Sequence, residues 1–182
     1  MIRHATKSIV TLVVSRDNPS SFVHSGRTAV AAVASLLVAQ LLRMPEAYWA
    51  SITALIVMQS TFGAALSISA QRFVGTAIGS VLGALAATYF RGNVVVYGTL
   101  VFLIGLFCAL LHVDRAAYRF ASITLAIIIL IPRVVGPWTA AIHRFIEVSI
   151  GIVVALAISA VWPEHRTITK SISPQVSAAG TA

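Results

Sequence analysis

The stretch SAQRFVGTAIGSVLGALAATYF, residues 69–90, is an apolar run of helical length with one charge, Arg72, three residues inside its start. An α-helix needs about 20 mostly apolar residues to cross a bilayer. Small residues recur every fourth position after the arginine, and a glycine has a similar place in the last apolar run: Gly75, Gly79, Gly83, Ala87 and Gly151. This spacing predicts a helix face on which another backbone packs closely.

The rest of the chain has the same apolar character. Of its 182 residues 58% are hydrophobic and 10% are charged, whereas about a quarter of the residues in soluble domains are charged. Six runs reach spanning length, so the sequence predicts an all-α membrane protein with six transmembrane helices. The predicted spans are 21–42, 45–62, 67–90, 94–113, 116–131 and 138–161. They form one domain, 21–163, between a cytoplasmic or interfacial lead-in at 1–20 and a disordered cytoplasmic tail at 164–182.

The basic residues predict the orientation, because cytoplasmic loops of membrane proteins carry an excess of lysine and arginine. With six spans the two termini share one side, and nine basic residues fall on that side against four on the other. Both termini are therefore predicted to be cytoplasmic. The net charge of +8 requires no nucleic acid partner, since anionic lipid headgroups attract the same side chains.

A weak internal repeat predicts the topology. The word ASIT occurs at 50–53 and again at 121–124, each time directly after an aromatic residue, Trp49 or Phe120. Each half of the repeat contains three predicted spans, and an odd number reverses the second half relative to the first. The prediction is a 3+3 inverted repeat, an arrangement found in many secondary transporters.

The repeat also pairs two arginines. After one inserted residue, QRF at 71–73 aligns with HRF at 143–145, so Arg144 is the equivalent of Arg72. A lone arginine near a helix start in lipid is unfavourable, at about 2.5–3.5 kcal/mol on insertion scales. A bound anion removes this penalty, because helix N–H groups and the guanidinium fork both act on it. We therefore predict that the pair binds a carboxylate or another anion; the alternative is that each side chain snorkels to the headgroups.

Interruptions of the apolar pattern extend this predicted site. In inverted-repeat transporters, broken helices at equivalent positions of the two halves mark the substrate site. The first break, 58–67, contains Gln59 and Thr61, and the second, 131–138, contains two prolines and a glycine. Both breaks lead into a segment with one of the paired arginines. Gln59 and Thr61 are therefore predicted to contact the substrate, with Arg119 at the start of the fifth span as a further candidate.

Glu147 lies three residues after Arg144, at the position where the first half has Gly75. It is interpreted either as charge compensation of Arg144, through an i, i+3 pair, or as a proton-coupling carboxylate. Aromatic residues near the predicted span ends, Trp49 among them, are typical of an interfacial belt. No residue cluster has metal-ligand spacing and no catalytic motif is present, so the sequence predicts no enzyme, no metal and no cofactor.

Two segments resemble a known family. PEAYWASITALIVMQSTFGAALSISAQRFVGTAIGSVLGALA, residues 45–86, resembles the signature of the fusaric acid resistance and aromatic acid exporter superfamily, in which a YW precedes an R-x-x-GT-x-x-G helix. HRFIEVSIGIVVALAISAVWP, residues 143–163, is similar to the closing segment of that superfamily. Plant aluminium-activated malate transporters, which are anion channels, resemble the same R-x-x-GT pattern. The resemblance covers residues 22–163.

This resemblance implies a bacterial inner-membrane protein for the proton-driven efflux of hydrophobic or aromatic carboxylates. Many members carry a large cytoplasmic domain or a second membrane half, so this chain is expected to form a homodimer or homo-oligomer. Two alternatives remain open. In the first alternative the chain is an anion channel, and in the second it is a non-transporting membrane subunit of a larger export assembly.

Overall fold

The computed structural model describes residues 22–59, 61–90, 93–110, 115–131 and 135–162. Within these ranges the chain forms six helices and no strand, which confirms the all-α class. The helices are α1 (Phe22–Leu41), α2 (Tyr48–Val57), α3 (Phe62–Phe90), α4 (Val94–Leu110), α5 (Arg115–Leu130) and α6 (Pro137–Val161). The predicted lead-in at 1–20 and tail at 164–182 lie outside the described residues.

Helices α3 and α6 have the dimensions of membrane spans. They contain 29 and 25 residues and are, among the described residues, the two helices long and apolar enough to cross a bilayer. At 1.5 Å per residue each exceeds the thickness of about 30 Å of the hydrocarbon core. Helices α2 and α4 are apolar but shorter. That all six helices span the membrane therefore stays a prediction.

Helix α2 is shorter than the predicted span 45–62. It has ten residues and covers about 15 Å. Pro45 cannot occupy a helix interior, and residues 45–47 form turns in which the Glu46 N–H donates a hydrogen bond to Glu147 Oε1 at 3.0 Å. At the other end Met58 is extended, with φ −65° and ψ 101°. Residues 45–47, which were predicted to form the start of the helix, are therefore a non-helical turn held by polar contacts.

Helix α3 is longer than its predicted counterpart, which began at residue 67. It starts at Phe62 because the Thr61 hydroxyl accepts a hydrogen bond from the Ala64 N–H at 3.3 Å, as an N-cap threonine does. Arg72 consequently lies ten residues into the helix, about 15 Å from its start. The prediction that helix N-terminal N–H groups act together with Arg72 is wrong for α3, since those groups belong to the first turn.

The long helices α3 and α6 form the centre of the bundle and are antiparallel. Phe73 contacts Phe145 with 4.9 Å between ring centroids, while Ala84, further along α3, packs with Ala141, earlier in α6. Helix α5 packs on α3, and α2 packs on α6. Helix α1 contacts α2 and α6, whereas α4 contacts α5 and α3.

The glycines assigned to helix packing lie where helices approach most closely. A methyl group at Gly79 would overlap the carbonyl oxygen of Ala121 and lie 2.9 Å from Thr124 Cβ. A methyl group at Gly151 would overlap the carbonyl oxygen of Ala50. The corresponding neighbours of Gly75 and Gly83 are the Ala117 carbonyl, at 2.5 Å, and the Ile128 side chain, at 3.1 Å. Backbone contact of this kind brings α5 against α3 and α2 against α6.

Substituting these glycines is expected to destabilise the bundle. Gly79→Ala and Gly151→Ala should each lower the free energy of unfolding by about 1–3 kcal/mol, because the added methyl separates two packed helices. Gly98→Ala is the matched control: Gly98 lies in α4 with nothing within 4 Å of the added carbon. That variant should gain about 0.5–1 kcal/mol from helix propensity. Unfolding in mixed detergent micelles measures all three, and equal stability of the three variants would contradict the packing role.

Candidate functional site

One face of the short helix α2 holds both paired arginines. Trp49 and Thr53 lie one turn apart on this face. Arg72 on α3 donates to Thr53 Oγ1 from Nε at 3.2 Å and from a terminal nitrogen at 3.0 Å. The Arg144 guanidinium on α6 lies over the Trp49 ring, 3.8 Å from its centroid. The two arginines that are equivalent in the sequence repeat, one on α3 and one on α6, thus both contact one face of α2.

Both arginines are buried. Arg72 is 5% exposed and Arg144 is 2% exposed. The alternative interpretation, that each side chain extends to the headgroups, requires an exposed guanidinium and does not fit this geometry. Their partners Thr53 and Trp49 are one turn apart on α2, which places the two positive charges near each other. The protein therefore places two like charges in its interior, where solvent screens them least.

Aromatic rings stack on the arginines in a paired arrangement. Arg72 lies over Phe120, 5.0 Å from the ring centroid, as Arg144 lies over Trp49. Phe120 and Trp49 are equivalents in the sequence repeat, directly before its two ASIT words. Each contact stabilises a desolvated cation by about 0.5–2 kcal/mol. Trp49, interpreted from sequence as part of an interfacial belt, instead supports an arginine.

Two carboxylates surround Arg144. Its NH2 group is 3.2 Å from Glu46 Oε2, and its NH1 group is 3.9 Å from Glu147 Oε2. The i, i+3 pair of Arg144 and Glu147 predicted from sequence is confirmed. Of the five acidic residues of the chain, these two fall in the described ranges, and both are bound to this arginine. When all four groups are ionised, the two carboxylates balance the two guanidinium groups.

The repeat equivalents of these acids are not acidic. Glu147 corresponds to Gly75, and Glu46 corresponds to Ala117. Gly75 and Ala117 are in backbone contact, which leaves no room there for a longer side chain. The two ion pairs found within the described residues both involve Arg144. Arg72 is held by a hydroxyl and a ring.

The remaining predicted substrate residues lie elsewhere. Gln59 donates from its side-chain amide to the Ile56 carbonyl at 3.0 Å, and Thr61 caps α3. Thr61 precedes Arg72 by eleven residues, about 16 Å along the helix. Arg119 is exposed on α5. The structure thus brings together Arg72, Arg144 and Glu147 and does not bring Gln59, Thr61 or Arg119 to them.

Sequence reasoning missed Glu46 and Thr53. Glu46 is the second residue of a predicted span and follows a proline, so it was not distinguished from a loop residue. A signal for Thr53 was present, because the repeated words contain an aromatic residue and, four positions later, a threonine. On a helix this spacing places both side chains on one face.

Arg27 on α1 is a third buried arginine, at 2% exposure. It donates to the Trp162 carbonyl at 3.0 Å and to the Gln59 carbonyl at 2.6 Å. These carbonyls follow the C-termini of α6 and α2, where a cation is favourable.

The burial of Arg27, Arg72 and Arg144 changes the count of basic residues on which the predicted orientation rests. Without these three, seven of the nine basic residues remain on the predicted cytoplasmic side and three of the four on the opposite side. The bias toward cytoplasmic termini is unchanged.

Two cavities differ in their relation to the arginines. A cavity of about 250 Å³ lies between α3 and α6 and is lined by Phe145, beside Arg144 in sequence, and by Ser80. The buried Ser80 hydroxyl has no hydrogen-bond partner among the described residues. A cavity of about 790 Å³ between α3 and α4 is lined by apolar side chains and Cys108. Its lining offers no group that binds a carboxylate.

The comparison with known proteins agrees with this architecture. Residues 31–158 match the fusaric acid resistance protein-like family, a range that includes Glu46, Trp49, Thr53, Phe120 and Glu147. The chain belongs to this family. The resemblance predicted from the sequence motifs is thereby confirmed. This is a family of membrane transport and resistance proteins.

A curated relative supports the membrane assignment of this family member. The chain is 26% identical over 150 residues to a protein of Escherichia coli (strain K12) named inner membrane protein YeeA. The match covers 80% of this chain and 42% of the relative, so the chain spans about two-fifths of the length of that protein. No solved structure matches the chain significantly.

The two arginines of this fusaric acid resistance-like protein are expected to contribute unequally to stability. Arg144→Gln leaves two carboxylates without their cation and should lower the free energy of unfolding by about 3–5 kcal/mol. Arg72→Gln loses hydrogen bonds to one hydroxyl and should lower it by about 1–3 kcal/mol. Arg115→Gln, at an exposed position, is the control and should change it by less than about 0.5 kcal/mol. A larger loss for Arg72→Gln than for Arg144→Gln would contradict the charge distribution described above.

Proposed function

We propose that the chain exports aromatic or amphipathic carboxylates across the bacterial inner membrane, through an anion site at Arg72 and Arg144 that is coupled to protons. One observation carries this proposal. Two guanidinium groups at repeat-equivalent positions are buried on α3 and α6, which among the described residues are the helices both long and apolar enough to span a bilayer. Arginines are rare in such segments because burying their charge is costly, and those present usually serve an ion or substrate pathway.

The surroundings of Arg72 favour an anionic ligand. The guanidinium uses two of its nitrogens on one neutral hydroxyl, that of Thr53, and contacts the Phe120 ring. A buried cation without a carboxylate partner is stabilised by a bound anion, and its planar fork suits a carboxylate. The adjoining aromatic rings of Phe120 and Trp49 provide apolar faces for the rest of an aromatic or amphipathic substrate.

A 3+3 inverted repeat with six spans and cytoplasmic termini accounts for the position of this site. Paired contacts support it. Gly79 packs on the second ASIT word, at 121–124, and Gly151 packs on the first, at 50–53. Phe73 and Phe145, also equivalents, contact each other, so the axis that relates the halves would pass between them. The arginine pair would then lie near the middle of the bilayer, as substrates do in transporters of this symmetry.

Proton coupling is assigned to the carboxylates on Arg144. The sequence makes Glu147 a candidate for this role, beside charge compensation of Arg144, and Glu46 is a second carboxylate on the same guanidinium. A carboxylate that takes up a proton releases the arginine for a substrate carboxylate. An anion channel, the alternative, would need no such exchange. Contact of the substrate with Gln59, Thr61 and Arg119, and assembly into a homodimer or homo-oligomer, stay predictions.

Loss of either buried arginine is expected to abolish transport. Arg72→Gln and Arg144→Gln should lower benzoate flux in proteoliposomes at least about tenfold, since each removes a charge from the anion site. Arg115→Gln should transport as the unmodified protein does. Flux that responds to voltage but not to a proton gradient would identify a channel. Unchanged flux in both arginine variants would reject the site.

Labelling tests the proposed topology. Single cysteines at Arg43, between α1 and α2, and at Arg115, at the start of α5, are introduced after the buried Cys108 is changed to alanine. Both positions are exposed. A membrane-impermeant maleimide should reach Arg43→Cys from the periplasm and Arg115→Cys from the cytoplasm, because three proposed spans, an odd number, separate the two positions. Labelling of both from the same side would exclude this arrangement.

A further inference from the structure

We propose that the transported anion moves along one face of α3, where Ser69, Arg72, Thr76 and Ser80 form a polar path through the interior of the bundle. This inference rests on the proposed function and names the side chains that bind the carboxylate on either side of Arg72. It follows from a difference between α3 and α6, the helices that contain the two repeat-equivalent arginines.

The four residues of the polar path share one face of α3. Their spacing is three, four and four residues, which places side chains in one row along an α-helix. All four are buried, at 2–5% exposure. From Ser69 to Ser80 the row extends about 16 Å along the helix axis, or about half of the hydrocarbon core of a bilayer. An apolar helix of spanning length thus keeps a continuous polar row inside the protein.

The equivalent positions on α6 are apolar apart from Arg144. The counterparts of Ser69, Thr76 and Ser80 are also buried, and they have hydrocarbon side chains: Ala141, Val148 and Ile152. Close packing of a spanning helix therefore requires no hydroxyl groups at these positions. Burying a hydroxyl is unfavourable unless it finds a hydrogen-bond partner. The hydroxyl groups of α3 thus point to a role that α6 does not share.

Two of these hydroxyl groups are unpaired. Ser69 Oγ and Ser80 Oγ are buried and make no hydrogen bond within the described residues. The buried Ser159 on α6, in contrast, donates to Met58 Sδ at 3.4 Å. Ser69 and Ser80 lie on opposite sides of Arg72 along α3, and a hydroxyl donates well to an ionised carboxylate. A carboxylate can therefore accept a hydrogen bond both before and after it meets the guanidinium.

The polar path ends at a space for the apolar part of the substrate. Ser80 forms part of the wall of the cavity of about 250 Å³ between α3 and α6, whose other lining residues are apolar or aromatic. An apolar cavity of about 150 Å³ holds one benzene ring, so the ring of an aromatic carboxylate fits here. In the proposed topology Ser69 would lie on the cytoplasmic side of Arg72 and Ser80 on the periplasmic side, which is the order that export requires.

Cysteine reactivity tests the polar path with a matched pair of positions. Thr76→Cys and Val148→Cys are introduced into the full chain after Cys108 is changed to alanine. Thr76 and Val148 are repeat equivalents, and both are β-branched and 2% exposed. A small anionic thiosulfonate should modify Thr76→Cys at least about tenfold faster than Val148→Cys, because a positively charged path concentrates anions. Benzoate should slow the reaction at Thr76→Cys.

Three results of this labelling would overturn the inference. The first is an equal reaction rate at the two positions, and the second is a rate at Thr76→Cys that benzoate does not change. The third is faster modification of Thr76→Cys by a cationic thiosulfonate of similar size, since this would identify a hydrated cleft that does not select anions.

Removal of the unpaired hydroxyl groups gives a second test. Ser69→Ala and Ser80→Ala should each lower benzoate flux about tenfold, because a hydrogen bond to the moving carboxylate is lost. Their stability in detergent should be unchanged or higher, because no hydrogen bond within the described residues is removed. Ser159→Ala removes a paired hydroxyl on α6 and should transport as the unmodified protein does. Lower stability of both variants with unchanged flux would indicate a structural role and overturn the inference.

The outcomes separate this inference from the proposed function. Benzoate flux that requires Arg72 but is unchanged in Ser69→Ala and Ser80→Ala would overturn the polar path and leave the transport proposal standing. Modification of Thr76→Cys that benzoate slows, without flux through the unmodified protein, would support an anion-binding path and reject transport. Neither an effect of benzoate on labelling nor flux would reject both.

Discussion

A buried guanidinium group must be satisfied inside the protein, and the arrangement around Arg144 follows from this constraint. The side chain is 2% exposed and is met by two carboxylates and by the face of an indole. These partners come from the α1–α2 turn, from α2 and from α6 itself. Removing the cation leaves charges that the interior cannot solvate. The ion cluster therefore fixes how the short helix α2 and its preceding turn are placed against α6.

Close helix packing makes the cluster possible. Gly151 allows α2 to lie against α6, and Gly79 allows α5 to lie against α3. As a result Trp49 and Phe120 are brought beneath Arg144 and Arg72. Without a hydrophobic drive between helices in lipid, such contacts come from backbone approach and polar groups together. The small-residue pattern and the arginines, which look unrelated in the sequence, are parts of one assembly.

The sequence predicts the helical class, the family and the pairing of Arg72 with Arg144, because apolar length, motif spacing and an internal repeat are properties of the chain itself. It does not predict the extent of α2 and α3, since the Glu46 N–H bond to Glu147 and the Thr61 cap replace or extend helical turns. Glu46 was missed for a related reason: its importance arises from contacts with residues about a hundred positions away. Trp49 was misplaced because belt and interior aromatic residues have similar sequence surroundings.

Arg27 joins residues from the beginning and the end of the bundle, through its bond to the Trp162 carbonyl. During synthesis at the ribosome, α1 is made long before α6 exists. Until α6 arrives, Arg27 lacks one carbonyl, Glu46 lacks its arginine and the packing surface of Ala50 is open. The first three helices are therefore incomplete as a folding unit and depend on the last one. A truncation that removes α6 should expose these polar groups to the quality-control proteases of the membrane rather than yield a smaller stable domain.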